Sequence, residues 1–311
     1  MTTRPNTAMK NEPKNMNTLQ FPATSGALRA ILERGEFVLA PGVYEMLGAK
    51  IADRMDFHAL YMTGYGISTS HLGQPDAGLA GYTDFVSRAR TIAHGISKPL
   101  IADADTGFGG LLNIRNTVRG YEEAGVQAIQ LEDQESPKKC GHTPNRRVVS
   151  LSDAVRRVEV AVDARRSKDT LIIARSDART SLGLDEAIAR GKAFAKAGAD
   201  IVFVESPESE DEFKRIGAEL ADCGAWLIAN MVPTGRSPEL PASRLKELGF
   251  SLAIWPGVLM QSACAAMEGA LTHLHDRGTT QGSPVPSYEM TKLHELVGFA
   301  DVWEFEKRWV E

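Results

Sequence analysis

The sequence contains few cysteines, and their spacing argues against two classes of protein. Its 311 residues include three, Cys140, Cys223 and Cys264, which form neither a CxxC pair nor an even set for disulfides. Neither a disulfide-stabilised secreted scaffold nor a cysteine-rich zinc domain is therefore indicated. Residues 1–20 also lack the apolar run of a secretory signal. A reducing cytoplasm is the expected compartment.

Long apolar runs and a surplus of positive charge are missing as well. No stretch reaches the roughly 18 apolar residues of a transmembrane helix, so we expect no membrane partner. The 35 basic residues are outnumbered by 40 acidic ones, whereas nucleic-acid-binding proteins normally carry a basic surplus. With 43% hydrophobic residues, the chain can bury the core of a large α/β domain. These features favour an enzyme that acts on a small molecule.

Short apolar runs alternate with helical patterns from residue 25 onward. Their length and β-branched content are typical of strands that are buried on both faces. The runs are 37–40, 59–62, 99–102, 128–131, 171–174, 201–204, 226–229 and 252–255. Eight such strands with intervening helices predict a (β/α)8 TIM barrel over residues 25–278. A doubly wound sheet is the alternative, but no G-x-G-x-x-G motif follows the first run.

The two ends of the chain differ from this central region. Residues 1–24 are polar and contain Pro5 and Pro13, which predicts a mobile N-terminal tail. Residues 279–311 read as a linker followed by a helix with apolar and aromatic residues at helical spacing. Because the barrel would already be complete, we expect this helix to dock on a neighbouring subunit. Packing across the base of the same barrel is the alternative.

Polar residues follow six consecutive predicted strands, where the active site of a barrel enzyme lies. Asp103 and Asp105 are two apart and point the same way, and Glu132 ends the next strand. Without evident basic partners these carboxylates would repel one another, so we expect Mg²⁺, or alternatively Mn²⁺, with Asp105 as the direct ligand. Helix capping or pairing with Arg175 is the alternative. Asp76 is expected either to lie just outside the direct metal ligands, as part of the metal site's surroundings, or to be a helix cap.

The loop after the fourth strand reads Lys138-Lys139-Cys140-Gly141-His142. A thiol beside two ammonium groups and an imidazole is expected to favour its thiolate form. Gly141 would let the backbone bend over a ligand. We therefore predict a flap that closes over the substrate and brings an acid or base to it. A solvated charged loop is the alternative.

Other strand ends offer groups that bind carboxylates. Arg175 supplies a bidentate fork and Asn230 an amide donor for one substrate carboxylate. Thr63 and Gly64 offer a hydroxyl and an open backbone for a second one. Glu205 is expected to bind a metal-bound water or a hydroxyl, with an ordinary ion pair as the alternative.

These motifs, in this order, closely resemble those of the isocitrate lyase/phosphoenolpyruvate mutase superfamily. The motifs are Thr63-Gly64-x-Gly66, Asp103-Ala104-Asp105-Thr106-Gly107-Phe108-Gly109, Glu132-Asp133-Gln134 and Lys138-Lys139-Cys140-Gly141-His142. The resemblance covers about residues 25–310. It implies a (β/α)8 barrel with a last helix swapped between subunits, usually in a tetramer. It also implies Mg²⁺, an α-keto- or α-hydroxy-carboxylate substrate and a mobile loop over the site.

The resemblance also implies roles for individual residues. In the superfamily's carbon–carbon lyases the cysteine of this loop is the proton donor, which assigns that role to Cys140. Asp105 goes to the metal, with Asp103 and Glu132 in its water shell. The catalytic loop contributes Lys138 and His142. Substrate contacts fall to Tyr61, Thr63, Gly64, Tyr65, Gly141, Arg175, Glu205 and Asn230.

The cysteine favours a lyase that cleaves a 2-hydroxy di- or tricarboxylate, such as 2-methylisocitrate or 2,3-dimethylmalate, by retro-aldol chemistry. The proton of the 2-hydroxyl would go to Tyr61, or to Asp76 through water. Tyr65 stands where methylisocitrate lyases carry a glycine and is expected to reshape the pocket. An oxaloacetate hydrolase or decarboxylase is the first alternative. A phosphonate mutase or hydrolase is the second, indicated by Val232-Pro233-Thr234, and a non-catalytic binder is the third.

Overall fold

The protein is a closed barrel of eight parallel strands, and the predicted (β/α)8 fold is confirmed. The computed structural model describes residues 23–141, 143 and 145–310. Neighbouring strands pair in sequence order, and β8 closes the ring by pairing with β1. The strands are β1 (Val38–Val43), β2 (Leu60–Met62), β3 (Leu100–Asp103), β4 (Ala128–Glu132), β5 (Leu171–Ser176), β6 (Ile201–Val204), β7 (Trp226–Asn230) and β8 (Leu252–Trp255).

Helices alternate with the strands along the chain, and further helices follow the last strand. They are α1 (Ala27–Glu33), α2 (Met46–Asp53), α3 (Gly64–Leu72), α4 (Tyr82–Gly95), α5 (Leu111–Glu123), α6 (Leu151–Ala164), α7 (Ala178–Leu182), α8 (Leu184–Lys196), α9 (Glu210–Leu220), α10 (Ala242–Glu247), α11 (Val258–Arg277), α12 (Met290–Val297) and α13 (Phe299–Trp309). The expected last helix is thus two helices. They meet at Gly298, whose φ of +90° lies in the left-handed region and ends α12.

Alternating residues of each strand pack in two different places, as expected for strands buried on both faces. Along β5, Ile173 belongs to the core inside the barrel, whereas Ile172 and Ala174 pack in the layer between strands and helices. Leu28 and Leu32 of α1 join the inner core. Apolar packing therefore fills the barrel interior.

Glycine ends two helices at the point where each leads into a strand. Gly125 after α5 has a φ of +88° and Gly198 after α8 a φ of +98°, a conformation that residues with a Cβ rarely adopt. The N–H of Gly198 donates to the carbonyl of Ala195 at 3.0 Å. These turns set each following strand at the start of its buried run.

The described residues divide into two compact units, one over residues 23–287 and one over residues 288–310. In the first, α11 has no buried residue along its length and exposes Met267 and Leu271. In the second, Phe299 stacks at 5.9 Å from Trp303. No helix among the described residues is long and apolar enough to span a membrane.

The predicted tail, residues 1–24, lies almost wholly outside the described residues. Ala23 and Thr24 are described, and their carbonyls accept hydrogen bonds from the Gln127 side chain, at 3.4 and 2.9 Å. The order of residues 1–22 stays a prediction.

Candidate active site at the carboxyl end of the barrel

A cavity of about 270 Å³ opens at the carboxyl end of the strands. Its predicted lining residues are Tyr61, Thr63, Tyr65, Asp76, Asp103, Glu132, Lys138, Cys140, Gly141, Arg175 and Asn230. The remaining wall is largely apolar and was not predicted, and it includes Val232, Ile254, Pro256 and Met260. Gly64, Asp105 and Glu205 contact lining residues. His142 lies outside the described residues.

The turn after β3 brings two carboxylates together. The N–H of Asp105 donates to Oδ1 of Asp103 at 3.0 Å, and Asp105 itself has a φ of +48°. Gly64 leaves room for them, because a Cβ there would lie 2.5 Å from Oδ2 of Asp103 and would displace that carboxylate. Asp103 and Asp105 are therefore held close together, as the sequence predicted.

The expectation that these carboxylates lack basic partners is wrong. The Lys138 ammonium lies 2.6 Å from Oδ1 of Asp76 and 2.5 Å from Oδ1 of Asp105, and Nε of Arg175 lies 3.4 Å from Oε2 of Glu132. The contact of Arg175 is the alternative that the sequence analysis left open, whereas the pairing of Lys138 was not predicted, because Asp76 and Asp105 lie far from it in sequence. Asp76 is thus an ion-pair partner of the flap.

Burial dominates the ionisation of this cluster. It raises the pKa of Asp105 to about 7, with repulsion from Asp103 and Asp76 adding to the effect against the attraction of Lys138. Burial likewise raises the pKa of Asp103 and, strongly, that of Glu132. For Lys138 burial works to lower the pKa, but Asp105, Glu132 and Asp76 outweigh it and raise the pKa well above its usual value. The cluster has more negative groups than it can hold charged.

These carboxylates fit a hard divalent cation by their chemistry. Oε1 of Glu132 is buried and has no hydrogen-bond donor among the described residues, and oxygen ligands of this type are those that Mg²⁺ prefers. Within that same part of the chain, no three Asp, Glu, His or Cys side chains are already assembled around one point. Lys138 supplies the positive charge beside Asp105 in this arrangement. Metal ligation by Asp103, Asp105 and Glu132 stays a prediction.

The flap, defined as the described residues between 134 and 148, contributes Lys138, Lys139, Cys140 and Gly141 to the cavity wall. Its base closes through a bridge between Gln134 and Val148. Its tip is held by a hydrogen bond from the Cys140 N–H to the Asp76 carbonyl at 3.1 Å, and by one from the Ser206 hydroxyl to the Gly141 carbonyl at 3.0 Å. Half-buried Cys140 thus lies in the cavity wall, and the closing of this loop over a substrate stays a prediction.

Gly141 and the two lysines of the flap have distinct surroundings. A Cβ on Gly141 would lie 2.3 Å from Nη2 of Arg175, so the close approach of the flap requires glycine. The ammonium of Lys138 is engaged by carboxylates, and that of exposed Lys139 lies 3.5 Å from the Asn145 carbonyl. The two charges next to Cys140 in sequence are therefore directed to other partners.

Arg175 ends β5 among acidic groups. Its Nε and Nη2 donate to the two carboxylate oxygens of Asp177 at 3.0 and 2.9 Å, and Nη1 lies 3.3 Å from Oε2 of Glu205. The amide of Asn230 also donates to Glu205, at 3.1 Å. The alternative reading of Glu205 as an ion-pair residue is what the structure shows. Arg175 and Asn230 line the cavity but are already held by protein carboxylates.

Tyr61 is held by a buried partner, because its hydroxyl donates to Oε1 of Gln130 at 3.1 Å. Burial raises the pKa of Tyr61 well above its usual value, with repulsion from Asp103 adding to the effect. The phenol is therefore neutral near pH 7. This disfavours Tyr61 as the base that takes the hydroxyl proton.

Sequence reasoning missed the residues behind the cavity. Asp177, Asp133 and Arg146 are almost completely buried and interlinked. A signal for the first two existed, since Ser176-Asp177 and Asp133-Gln134 continue polar strand ends. Nothing in the sequence pointed to Arg146, because its partners come from the next strand end.

Proteins with similar sequences extend over nearly the whole chain. A 2,3-dimethylmalate lyase of Eubacterium barkeri is 45% identical over 91% of this chain and 97% of its own. A 2-methylisocitrate lyase of Aeropyrum pernix is 38% identical over 90% of this chain and 88% of its own.

Solved structures with similar folds and related sequences also superpose on most of this chain. An oxaloacetate acetylhydrolase bound to 3,3-difluorooxalacetate superposes with a TM-score of 0.86 at 36% identity, covering 92% of this chain and 97% of the other. A phosphonopyruvate hydrolase in complex with oxalate and Mg²⁺ superposes with a TM-score of 0.82 at 28% identity, covering 93% and 100%. The family model for phosphoenolpyruvate phosphomutase matches residues 28–275. The chain therefore belongs to the phosphoenolpyruvate phosphomutase family, within the PEP mutase/isocitrate lyase superfamily.

Proposed function

We propose that this protein is a carbon–carbon lyase that cleaves a 2-hydroxy di- or tricarboxylate into an α-keto acid and a second carboxylate. The relatives named as lyases support this reaction class. One observation carries the proposal: the thiol-bearing flap residue Cys140 lines the same cavity as Asp103, Glu132 and Arg175. A thiol that would donate the proton, a carboxylate cluster and a guanidinium that would bind the substrate therefore line one cavity.

The cofactor we propose is Mg²⁺, with Mn²⁺ as a substitute. Support comes from the buried, hydrogen-bond-deficient oxygen of Glu132 and from the Mg²⁺ of the phosphonopyruvate hydrolase complex. Asp105, Asp103 and Glu132 would hold it, with Asp76 nearby. When bound, such a cation polarises the hydroxyl and carboxylate oxygens of a substrate and stabilises developing negative charge.

The chain's own groups then carry the proton transfers. Loss of the 2-hydroxyl proton allows the C2–C3 bond to break, C2 becomes the keto carbon, and the bonding electrons pass to C3 of the departing carboxylate. The Cys140 thiol donates its proton to C3. Because the flap is held in the cavity wall through Cys140 and Gly141, its closing over the substrate excludes bulk water from the nascent carbanion.

Positioning falls to the polar side of the cavity. Arg175 orients one substrate carboxylate, and Thr63 with the Gly64 backbone orients the second. Of the two predicted bases, Asp76 acting through water is retained, because the high pKa of Tyr61 keeps that phenol protonated. Tyr61 serves instead as a polar contact. The role of His142 as an auxiliary contact stays a prediction.

Hydrolysis of oxaloacetate, in which a water adds to C2 before the C2–C3 bond breaks to give oxalate and acetate, is the second candidate. The similarity to an oxaloacetate acetylhydrolase over 92% of the chain favours it. That reaction uses the same carboxylate cluster and leaves the same type of carbanion. Action on phosphonates is the third candidate and rests on the phosphonopyruvate hydrolase likeness.

A substrate panel separates these activities. Purified protein with Mg²⁺ would receive 2,3-dimethylmalate, 2-methylisocitrate, isocitrate, oxaloacetate and phosphonopyruvate in turn, and products would be identified by NMR. A keto acid from a hydroxy acid, lost on adding EDTA, supports the lyase. Oxalate plus acetate would replace the lyase by the hydrolase. No turnover of any compound, with tight binding of one, would make the protein a binder.

We further propose that the protein assembles as a homotetramer in which the C-terminal helices swap between subunits. Large apolar side chains remain uncovered on α11, where Leu271 is 65% exposed, and on α13, where Trp309 is also 65% exposed. Such uncovered stretches are typical of subunit interfaces. Light scattering should give a tetramer that Leu271→Glu dissociates, and a wild-type monomer would contradict the proposal.

The proposed compartment is the cytoplasm. None of the three cysteines, all of which are described, forms a disulfide, and Cys140 has to stay reduced to donate a proton. Fractionation of cells that express the full chain would check it, and recovery from an oxidising compartment would contradict it.

A further inference from the structure

A buried carboxylate that the reaction does not itself use lies between two arginines behind the cavity. Asp177 follows β5 and has no exposed surface. It accepts hydrogen bonds from Nε and Nη2 of Arg175, at 3.0 and 2.9 Å. It also accepts a hydrogen bond from Nη1 of Arg146. The two arginines come from different parts of the site, one from the cavity wall and one from the flap.

Arg146 belongs to the returning arm of the flap. Its guanidinium is fully buried, and its Nη2 donates to the hydroxyl of Thr180 in α7. Next to it, the carbonyl of Arg147 accepts the N–H of Glu135 at 2.9 Å and closes the flap's base. Arg146 therefore fastens the returning arm to the segment that carries Asp177.

The backbone around Asp177 is itself rigidly supported. Its N–H donates to Oδ1 of Asp133 at 2.8 Å, and the Ser176 hydroxyl donates to Oδ2 of the same residue at 2.8 Å. Arg190 of α8 in turn donates to Asp133 at 2.9 Å. Asp177 thus has a fixed position relative to the strand ends.

The geometry of the Arg175 guanidinium explains what this fixed carboxylate does. A guanidinium has five N–H donors, and Asp177 takes the Nε donor and one from Nη2. The edge formed by Nη1 and Nη2 retains donors for a carboxylate in the cavity. The other acidic contacts, with Glu132 at 3.4 Å and Glu205 at 3.3 Å, are single and longer. Asp177 is therefore the contact that sets the plane of the guanidinium.

We propose that Asp177 is a positioning residue that orients the Arg175 guanidinium toward the substrate carboxylate. Because Asp177 also binds Arg146, it couples the orientation of Arg175 to the position of the flap. The inference rests on the proposed function only in taking Arg175 to bind a substrate carboxylate. The flap and the arginine then respond to each other, because displacing either one disturbs the carboxylate they share.

The test replaces the shared carboxylate and follows the flap as well as the rate. In Asp177→Asn, kcat/KM falls about 100-fold, as is typical when a reacting group is misplaced by about 1 Å. Binding of oxalate with Mg²⁺, measured by calorimetry, weakens. Oxalate at saturation protects Cys140 from iodoacetamide in the wild type, and this protection is lost in the variant. A merely structural role would not change the protection of a folded protein.

Two further variants control for folding. Asp200→Asn removes a carboxylate that also lies between two arginines, Arg29 and Arg165, but at the opposite end of the barrel, so its oxalate affinity and Cys140 protection should stay within about twofold of wild type. Arg146→Gln removes only the flap's partner and should weaken the protection while Asp177 remains paired. It also carries the test if Asp177→Asn does not fold.

The outcomes are distinguishable. Normal oxalate binding and protection in Asp177→Asn, or in Arg146→Gln if that variant carries the test, would overturn the inference and leave the proposed function intact. Equal losses in Asp200→Asn would also overturn it. A wild-type protein that binds no oxalate in the presence of Mg²⁺ would overturn both.

Discussion

At each end of the barrel a carboxylate lies between two arginines, but the two groups of residues differ in role. At the amino end Asp200 binds Arg29 and Arg165 and also accepts the N–H of Ile172 at 2.8 Å. At the carboxyl end Asp177 lies between Arg175 and Arg146. The first set of groups ties α1 and neighbouring loops to the strands. The second holds an arginine that faces a cavity.

The two ends of the barrel also differ in how completely their buried polar and charged groups are paired. At the amino end Gln127 satisfies the N–H of Leu28 at 3.0 Å, and apolar residues of α1 fill the barrel. At the carboxyl end burial raises the pKa of Asp103, Asp105 and Glu132. Unmatched buried charge with a raised pKa is typical of functional sites. The contrast indicates that the buried carboxylates at the carboxyl end lower the stability of the fold, as is typical of a functional site.

The largest effect, and one confined to the carboxyl end, is expected from Cys140→Ser. A serine hydroxyl is a far weaker acid than a thiol, so kcat should fall by about 10³-fold if Cys140 is the proton donor. Steady-state kinetics on the substrate found in the panel would measure this. Cys264→Ser, at an exposed cysteine, is the matched control and should retain full activity. Full activity in Cys140→Ser would remove the assigned proton donor.

The next largest effect concerns the charge balance at the carboxyl end. Lys138→Met leaves Asp76 and Asp105 without their ammonium partner, and breaking a buried ion pair in this way costs about 3 kcal/mol or more. Urea unfolding in EDTA at pH 8 would measure the loss. Lys139→Met, at the neighbouring exposed lysine, should change the unfolding free energy by less than about 0.5 kcal/mol. Equal effects would refute the buried pairing.

The raised pKa of Asp105 predicts how the free energy of unfolding changes with pH when no metal is bound. Its pKa is about 7 in the folded protein against an ordinary value of 3.8. Since the folded value is the higher one, the stabilisation is complete below about pH 4 and is lost as the pH rises through about 7. Relative to Asp105→Asn, the wild type should lose up to about 1.4 kcal/mol of unfolding free energy per pH unit in that window. Parallel curves from urea unfolding in EDTA would contradict this.

The smallest effect is expected at the amino end. Gln127→Ala leaves the buried N–H of Leu28 without its acceptor, which costs about 1–2 kcal/mol. Thermal or urea unfolding would detect the loss, while kcat and KM of the folded protein should be unchanged. A fall in kcat would mean that the two ends are coupled and that the contrast drawn between them is wrong.

Much of the molecule was predictable from local patterns. All eight strands lie where short apolar runs predict them. The polar strand ends together with the flap motif also identified most of the residues that line the cavity. These features are local, because strand periodicity, turn conformation and the direction of a strand end depend on a few neighbouring residues.

The pairing of charges was not predictable in the same way. The sequence offered no reason for Lys138 to reach Asp76, which lies 62 residues earlier, or for Arg146 to share Asp177 with Arg175. Arg175 and Asn230 appeared available for a substrate but proved to be held by Asp177 and Glu205.

By itself the sequence determined the barrel, its active end and the groups that gather there, since each of these follows from periodicity and from the parallel direction of the strands. Only the tertiary structure decided which carboxylate has a cation and which does not, and hence which pKa values shift. The reason is physical: burial and Coulomb attraction act over a few ångströms in space, whatever the distance along the chain.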